Sequence, residues 1–193
     1  MSKAEPASAG LVNFSDEDLA VQVRKQDEKA FETLLIRHED RVYHLALLIV
    51  GRTEEARDIA QEVFLAFWED PGAYRPTARF TTWLYRVTSN RSISHLRTRA
   101  IRRIFSFSDN DPTETAPDPE EQADDRVERE ERDSSLESEI SRLPARQRAA
   151  LYLRYEEDLP VAEVAASLGI SFKSAESLLF RAKTTLREKL KIA

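Results

Sequence analysis

The stretch PVAEVAASLGISFKSAESLLFRAKTTLREKLK, residues 160–191, holds two helical patterns hinged on Gly169. About eight residues of apolar periodicity end at Leu168. A turn on Leu168, Gly169, Ile170 and Ser171 follows, and then a longer helical pattern, so the segment reads as a helix-turn-helix. Glycine permits the positive φ that such a turn needs. Ser171 is placed to cap the final helix, and Ala165 lies where the two helices approach closely. At 100° per residue, Phe172, Ala175, Leu178, Leu179, Ala182, Leu186 and Leu190 share one face of the last helix. Lys173, Ser177, Phe180, Arg181, Thr184 and Arg187 share the other, where Phe180 is the odd member, a large apolar ring among polar and basic groups. An arginine fork suits guanine in a major groove, and an aromatic edge suits a thymine methyl. An amphipathic helix with a solvated polar face accounts for the helix alone equally well; the attached turn and preceding helix favour DNA binding.

Working back from this segment, residues 134–142, 144–155, 160–168 and 172–191 are helical by periodicity, with Pro144 and Pro160 suited to first turns. Residues 106–133 are different: three prolines, twelve acids and almost no apolar residue. Such a composition buries too little surface to offset ordering entropy and reads as a flexible acidic linker. Its 28 residues reach about 90 Å fully extended and about 30 Å as a coil. That suffices to bridge two DNA sites roughly 50 Å apart. Before it, Ser15 stands ahead of Asp16, Glu17 and Asp18 as an N-cap followed by first-turn acids. Apolar positions spaced by three and four predict helices over residues 28–50, 54–69 and 80–103, with Gly51 at a helix C-terminus, Thr53 as the next N-cap and a loop at 70–79. Residues 1–14 read as a tail. The expected architecture is all-α: a four-helix N-terminal bundle (15–105), the acidic linker (106–133) and a C-terminal helix-turn-helix unit (134–193).

Composition narrows the function. Four glycines without a Gly-rich phosphate loop argue against nucleotide cradles. The absence of cysteine removes disulfides and thiolate sites and suits a reducing cytoplasm. The longest apolar run, residues 45–50, is far short of a membrane span. No catalytic constellation emerges from His38, His44 and His95, and no metal spacing or cofactor motif is present. His38, beside Glu39 and Asp40, reads as a surface residue. The net charge of −6 is sharply partitioned. Residues 15–70 carry 14 acids against 7 bases, residues 109–133 carry 12 acids against 3 arginines, and residues 75–104 carry eight arginines and no acid. Segregated charge suggests separate surfaces for separate partners.

The arginine stretch holds Arg75, Arg79, Arg86, Arg91, Arg97, Arg99, Arg102 and Arg103 together with Tyr74, Phe80, Trp83 and Tyr85. Cations track phosphates and aromatic faces stack on unpaired bases, a pairing that suits opened DNA. Part of the aromatic set reads as core, and the arginines have a second outlet in the acidic helices or linker. On residues 54–70, Asp58, Gln61, Glu62 and Glu69 alternate with a buried stripe and form a third candidate surface.

Four segments resemble a known family. Ala30-Phe31-Glu32-Thr33-Leu34-Leu35; Asp58-Ile-Ala-Gln-Glu-Val-Phe64 with Phe67-Trp68; Phe80-Thr-Thr-Trp-Leu-Tyr-Arg-Val87 with Asn90 and Arg97; and Leu143-Pro144 with Arg148, Val164-Ala165, residues 168–171 and Phe180-Arg181-Ala182-Lys183 occur in the order found in extracytoplasmic-function sigma factors of bacterial RNA polymerase. The resemblance implies that the first unit is sigma region 2 and the second is region 4. It implies core-polymerase contacts, to the β′ and β subunits, from Asp58, Gln61, Glu62, Phe64, Phe67 and Trp68. It implies recognition and opening of the −10 element by Tyr74, Arg75, Arg79, Phe80, Trp83, Arg86, Asn90, Arg91 and Arg97. It implies reading of the duplex −35 element by Lys173, Ser174, Glu176, Ser177, Phe180, Arg181 and Lys183. It further implies a cytoplasmic, non-catalytic protein held by an anti-sigma protein. Glu176 stands where many members carry a basic residue; a glutamate accepts from cytosine N4, so the −35 preference is expected to differ. A stand-alone helix-turn-helix regulator is the alternative, and a helical interaction protein with incidental basic charge is a third.

Overall fold

A computed structural model describes residues 14–106 and 131–190. The tail over residues 1–13 and nearly all of the acidic linker lie outside the described residues. Eight α-helices are present among those described: α1 (Asp16–Val23), α2 (Glu28–Val50), α3 (Thr53–Glu69), α4 (Phe80–Ser106), α5 (Glu131–Ser141), α6 (Ala145–Tyr155), α7 (Val161–Leu168) and α8 (Phe172–Leu190), with a 3₁₀ turn at Pro71–Ala73. No helix of the described residues is long and apolar enough to cross a membrane.

Local chemistry sets most boundaries. The Ser15 hydroxyl accepts from the Asp18 amide at 3.1 Å, capping α1 as expected. The Asp27 carboxylate accepts from the amides of Lys29 and Ala30 and starts α2. Gly51 ends α2 at φ +75°, donating to Leu47 O. Two boundaries differ from expectation. Thr53 is the first residue of α3, not its cap; Arg52 holds the cap position without a side-chain bond. Pro144 and Pro160 occupy N-cap positions in extended conformation rather than first-turn positions, because their ψ values of 139° and 151° lie outside the helix. A Cβ at Gly51 meets nothing within 4 Å. Gly51→Ala is therefore expected to cost only the left-handed backbone penalty, roughly 1–2 kcal/mol, measured by urea unfolding.

Helices α1 to α4 bury Leu19, Leu34, Val42, Leu45, Phe67, Phe80 and Leu84 in one core. An aromatic knot fills its centre. Phe80 lies 5.1 Å from Phe67, 5.3 Å from Tyr74, 5.7 Å from Trp83 and 5.8 Å from His38, centroid to centroid. The Phe80 amide donates to the Glu17 carboxylate at 2.9 Å, so α1 satisfies the first turn of α4. The C-terminal unit packs closely because its core is alanine-rich: Ala149, Ala150, Ala165, Ala175 and Ala182 are all buried, beside Leu153, Val164 and Leu179.

His38 corrects an expectation. It is buried, not on the surface, because the spacing of α2 turns it inward, where its Nε2 lies 2.7 Å from Asp16 Oδ2. Burial raises the pKa of Asp16, but hydrogen bonds from His38 and Arg37 outweigh it and hold the carboxyl below its ordinary value. A depressed carboxyl contributes stability above its unfolded pKa and loses it as pH falls through the folded one. Asp16→Asn is thus expected to be less stable at neutral pH and to lose less stability than the parent between about pH 5 and pH 3, a difference read by urea unfolding across that range.

The two units are packed together. α7 lies along α4, and α6 lies against α2. Arg148 on α6 donates from Nε to Leu48 O at 2.5 Å and from Nη2 to Ile49 O at 3.3 Å. A guanidinium from the C-terminal unit thereby satisfies two carbonyls at the end of α2 that have no next turn to bond.

Candidate polymerase and nucleic-acid interfaces

On α3, Asp58, Gln61 and Glu62 are exposed on one face. Leu65, half exposed, extends that face; it follows Gln61 by four residues, a spacing that marks it in the sequence although it was not among the expected contacts. Ile36 on α2 is a second large apolar group left exposed. Between α2 and α3 runs a groove lined by the apolar groups of Leu35, Tyr43, Ala60 and Phe64, with Glu39, Asp40, Arg57 and Gln61. Phe64 and Phe67 are buried and Trp68 is half-buried, Trp68 lying 5.1 Å from Phe31. The expectation of direct partner contact is corrected for Phe67, which is buried in the aromatic knot and supports the acidic face from behind; Phe64, though largely buried, lines the floor of the groove.

The arginine helix divides the same way. Arg75, Arg79, Arg86, Asn90 and Arg97 are exposed, and Trp83 is half-buried. Tyr74 and Phe80 have essentially no exposed surface, so their expected contact with bases is corrected. Their rings complete the aromatic knot, and the Tyr74 hydroxyl donates to Ala78 O at 2.9 Å, folding the loop before α4. Burial, and then the nearby Glu17 carboxylate, raise the Tyr74 phenol above its ordinary pKa. Two arginines find acids on α3: Arg91 meets Glu62 at 3.0 Å, and Arg99 meets Glu55 at 2.9 Å. Arg91 and Glu62, expected to serve different partners, are thus paired across α3 and α4. Half-exposed ion pairs of this kind contribute little stability in water, so both groups remain available for exchange of partners.

The helix-turn-helix takes the expected form. Gly169 adopts φ +63° between α7 and α8, Ile170 N donates to Ala165 O at 3.0 Å, and the Ser171 hydroxyl accepts from Ser174 N at 3.2 Å. Lys173, Ser174, Glu176, Ser177, Arg181 and Lys183 are exposed on α8, and Phe180 is 71% exposed, the barest large apolar side chain among the described residues. Arg181 Nε donates to Ser177 O one turn back at 3.2 Å. Lys183 Nζ sits 5.1 Å from the ring centroid of half-exposed Tyr155, which the sequence did not single out. Phe172, placed by angle on the buried face of α8, is half exposed at the first position of the helix.

This arrangement is that of a transcription initiation factor: a helical bundle and a helix-turn-helix unit with one acidic and two basic-faced surfaces. The sigma-70 region 2 family model matches residues 34–102, and the sigma-70 region 4 model matches residues 134–186. The RNA polymerase sigma-H factor of Pseudomonas aeruginosa is 28% identical over 191 residues, covering 93% of this chain and 96% of that one. The ECF RNA polymerase sigma factor SigW of Bacillus subtilis is 26% identical over 181 residues, covering 88% and 94%. In fold, the chain is similar to the sigma factor RpoE of Bartonella quintana, solved in complex with the anti-sigma factor NepR, with TM-score 0.63, 21% identity and coverage of 85% of this chain and 98% of that one. The chain belongs to the extracytoplasmic-function sigma factors. As a sigma factor it binds core RNA polymerase and promoter DNA and directs transcription initiation.

Proposed function

We propose that residues 15–105 and 134–193 act as two functional units bridged by the acidic stretch 106–133, with a separate task for each exposed surface. The acidic face of α3, with Asp58, Gln61, Glu62 and Leu65 beside the α2–α3 groove, docks on core polymerase. Arg75, Arg79, Arg86, Asn90, Arg91 and Arg97, with the edge of Trp83, grip the −10 element as it opens. Lys173, Ser174, Glu176, Ser177, Phe180, Arg181 and Lys183 read the −35 element as duplex. The chain performs no chemistry of its own. Phosphate contacts and captured bases offset the unstacking of a few base steps, each costing a few kcal/mol, and the polymerase supplies the active centre. The protein works in the cytoplasm, and an anti-sigma protein, of the kind bound to the similar RpoE, is its controlling partner.

The observation that carries this reading is the pair of unlike DNA-facing surfaces in one chain. One is an acid-free arginine helix and the other a helix-turn-helix whose outward phenylalanine has no role in the core. Transcription in vitro with purified core polymerase, with start sites mapped across genomic DNA, tests it. Discrete starts that depend on the added chain are expected; tight binding to a palindromic operator without polymerase would replace the sigma reading with that of a stand-alone regulator. Asp58→Arg is expected to weaken assembly with core polymerase at least about tenfold while leaving the fold intact, since its side chain is exposed. Undiminished assembly in a pull-down would move the docking surface away from α3.

A further inference from the structure

Tyr155, the last residue of α6, is half exposed and has no task among the surfaces assigned above. The Lys183 ammonium of α8 lies over its ring, 5.1 Å from the centroid, and the Arg154 guanidinium lies over the same ring at 5.6 Å. Lys183 is one of the groups assigned to the −35 duplex. It follows Glu176 by seven residues and Phe180 by three, so the three share one exposed stripe of α8. An aromatic ring from α6 therefore bears on the edge of the DNA-reading face.

The two cations at this ring are held differently. Arg154 Nη1 donates to Asp158 Oδ1 at 3.2 Å and to Leu159 O at 3.4 Å, so the turn after α6 fixes it. Glu157, in the same turn, accepts from the Tyr152 hydroxyl at 2.8 Å. Asp158 is thus spent on Arg154 and Glu157 on Tyr152, and among the described residues no acid pairs with Lys183. Two positive groups gathered at one ring, with a single carboxylate paired to them, leave net positive charge beside α8. A lysine on its four-carbon stem ordinarily spreads over many rotamers in water. The negative face of an aromatic ring restrains the ammonium without cancelling its charge. An ion pair would restrain it too, but would neutralise the charge that an incoming anion needs.

We propose that Tyr155 is a positioning residue for duplex binding: its ring holds the Lys183 ammonium at the edge of α8, ready for a backbone phosphate flanking the −35 element. The proposal rests on the assignment of α8 given under Proposed function and deepens it by naming a residue outside α8 that sets the affinity. Recognition helices meet base edges with their N-terminal residues. Lys183 stands ten residues beyond Lys173, about 15 Å farther along the axis at ~1.5 Å per residue, so it meets the rim of the groove rather than its floor. Phosphates line that rim, and an ammonium serves them as a point charge, with no need of the planar fork that a base edge rewards. The contact adds affinity and register and carries no sequence information.

The test uses the full-length chain and a fluorescein-labelled duplex of mixed sequence, about 30 base pairs long, titrated at about 50 and about 200 mM salt. Tyr155→Leu keeps apolar bulk and removes the aromatic face; Tyr155→Phe keeps the face and removes the hydroxyl. Tyr155→Leu is expected to weaken binding about two- to fivefold, and Tyr155→Phe to bind as the parent does. Lys183→Ala is expected to weaken binding further and to lower the salt slope by about one ion. Added to Lys183→Ala, Tyr155→Leu is expected to cost nothing more, a coupling that a merely structural ring would not show. The parent carries a second readout: ring current from Tyr155 is expected to move the Lys183 ε-methylene protons upfield in the NMR spectrum. That shift and the Lys183→Ala slope decide the matter should Tyr155→Leu lose helicity by circular dichroism. Unshifted protons, an unchanged slope in Lys183→Ala, a Tyr155→Phe variant as weak as Tyr155→Leu, or equal losses from Tyr155→Leu with and without Lys183 overturns the role of the ring. If the parent binds duplex in a salt-dependent way and the Tyr155 variants match it, only that role falls; if the parent binds no duplex at either salt, the assignment of α8 falls with it.

Discussion

Phe80→Ala is expected to destabilise the N-terminal unit by about 3–5 kcal/mol, the range for truncating a fully buried phenylalanine. Its ring has no exposed surface and touches the rings of Phe67, Tyr74, Trp83 and His38. These come from α2, α3, the loop before α4, and α4 itself, so a cavity here loosens three helices and a loop at once. Relaxation into the void is limited because Phe67 and Tyr74 are also fully buried and have nowhere to move. The sequence offers a competing role, in which Phe80 stacks on a base. That role predicts a stability change within about 0.5 kcal/mol, as for an exposed residue, with a large loss of strand binding. Urea unfolding separates the two, and a change below 1 kcal/mol would return Phe80 to the DNA-facing set. The buried position also explains why an aromatic opens this helix. The Glu17 carboxylate caps its amide while the ring anchors the N-terminal end of α4, fixing where Arg79 and Arg86 emerge.

Arg181→Ala is expected to weaken recognition of the upstream element by about 1–3 kcal/mol, or roughly 5- to 150-fold in affinity. Arg181 stands beside Phe180 on the outward face of α8, and among the described residues its Nε alone is engaged, with the carbonyl of Ser177. A guanidinium already turned along its own helix is in position to enter a groove with that helix and reach a base edge. The form of the loss identifies the role. Loss confined to some sequences marks a base contact. An equal loss on all duplexes, with the salt dependence reduced by about one ion, marks a phosphate anchor. Competition between duplexes at two salt concentrations distinguishes them. Glu176, exposed one turn earlier on α8, bears on the same experiment, since it is expected to favour a cytosine that a basic residue at this position would repel or ignore.

Local chemistry made much of this protein legible in its sequence. The caps at Ser15 and Ser171, the left-handed glycines at 51 and 169 and the three- and four-residue apolar spacing each act over a few residues, and the structure places the helices within a few residues of where those signals put them. The three exposed surfaces were legible for a related reason: a charged stripe on a helix declares which way it faces. Where the sequence misassigned residues, the deciding contact was distant. His38 sits among acids in the chain, yet its partner is Asp16, twenty-two residues away on α1. Tyr74 and Phe80 lie in an arginine-rich run, and only the arrival of Phe67 from α3 makes them core. Arg91 and Arg99 have no acid nearby in sequence and find Glu62 and Glu55 across the bundle.

The sequence by itself determined two helical units, their order, their caps and the kinds of surface they present, because periodicity and charge are properties of single helices. Only the tertiary structure decided which aromatics are core and which remain at a surface, and that α7 lies on α4 with Glu157 and Glu163 against its donors. The reason is physical. Burial and pairing depend on what arrives from elsewhere in the chain, and residues 85 and 157 are brought within one hydrogen bond only when both units are folded and docked.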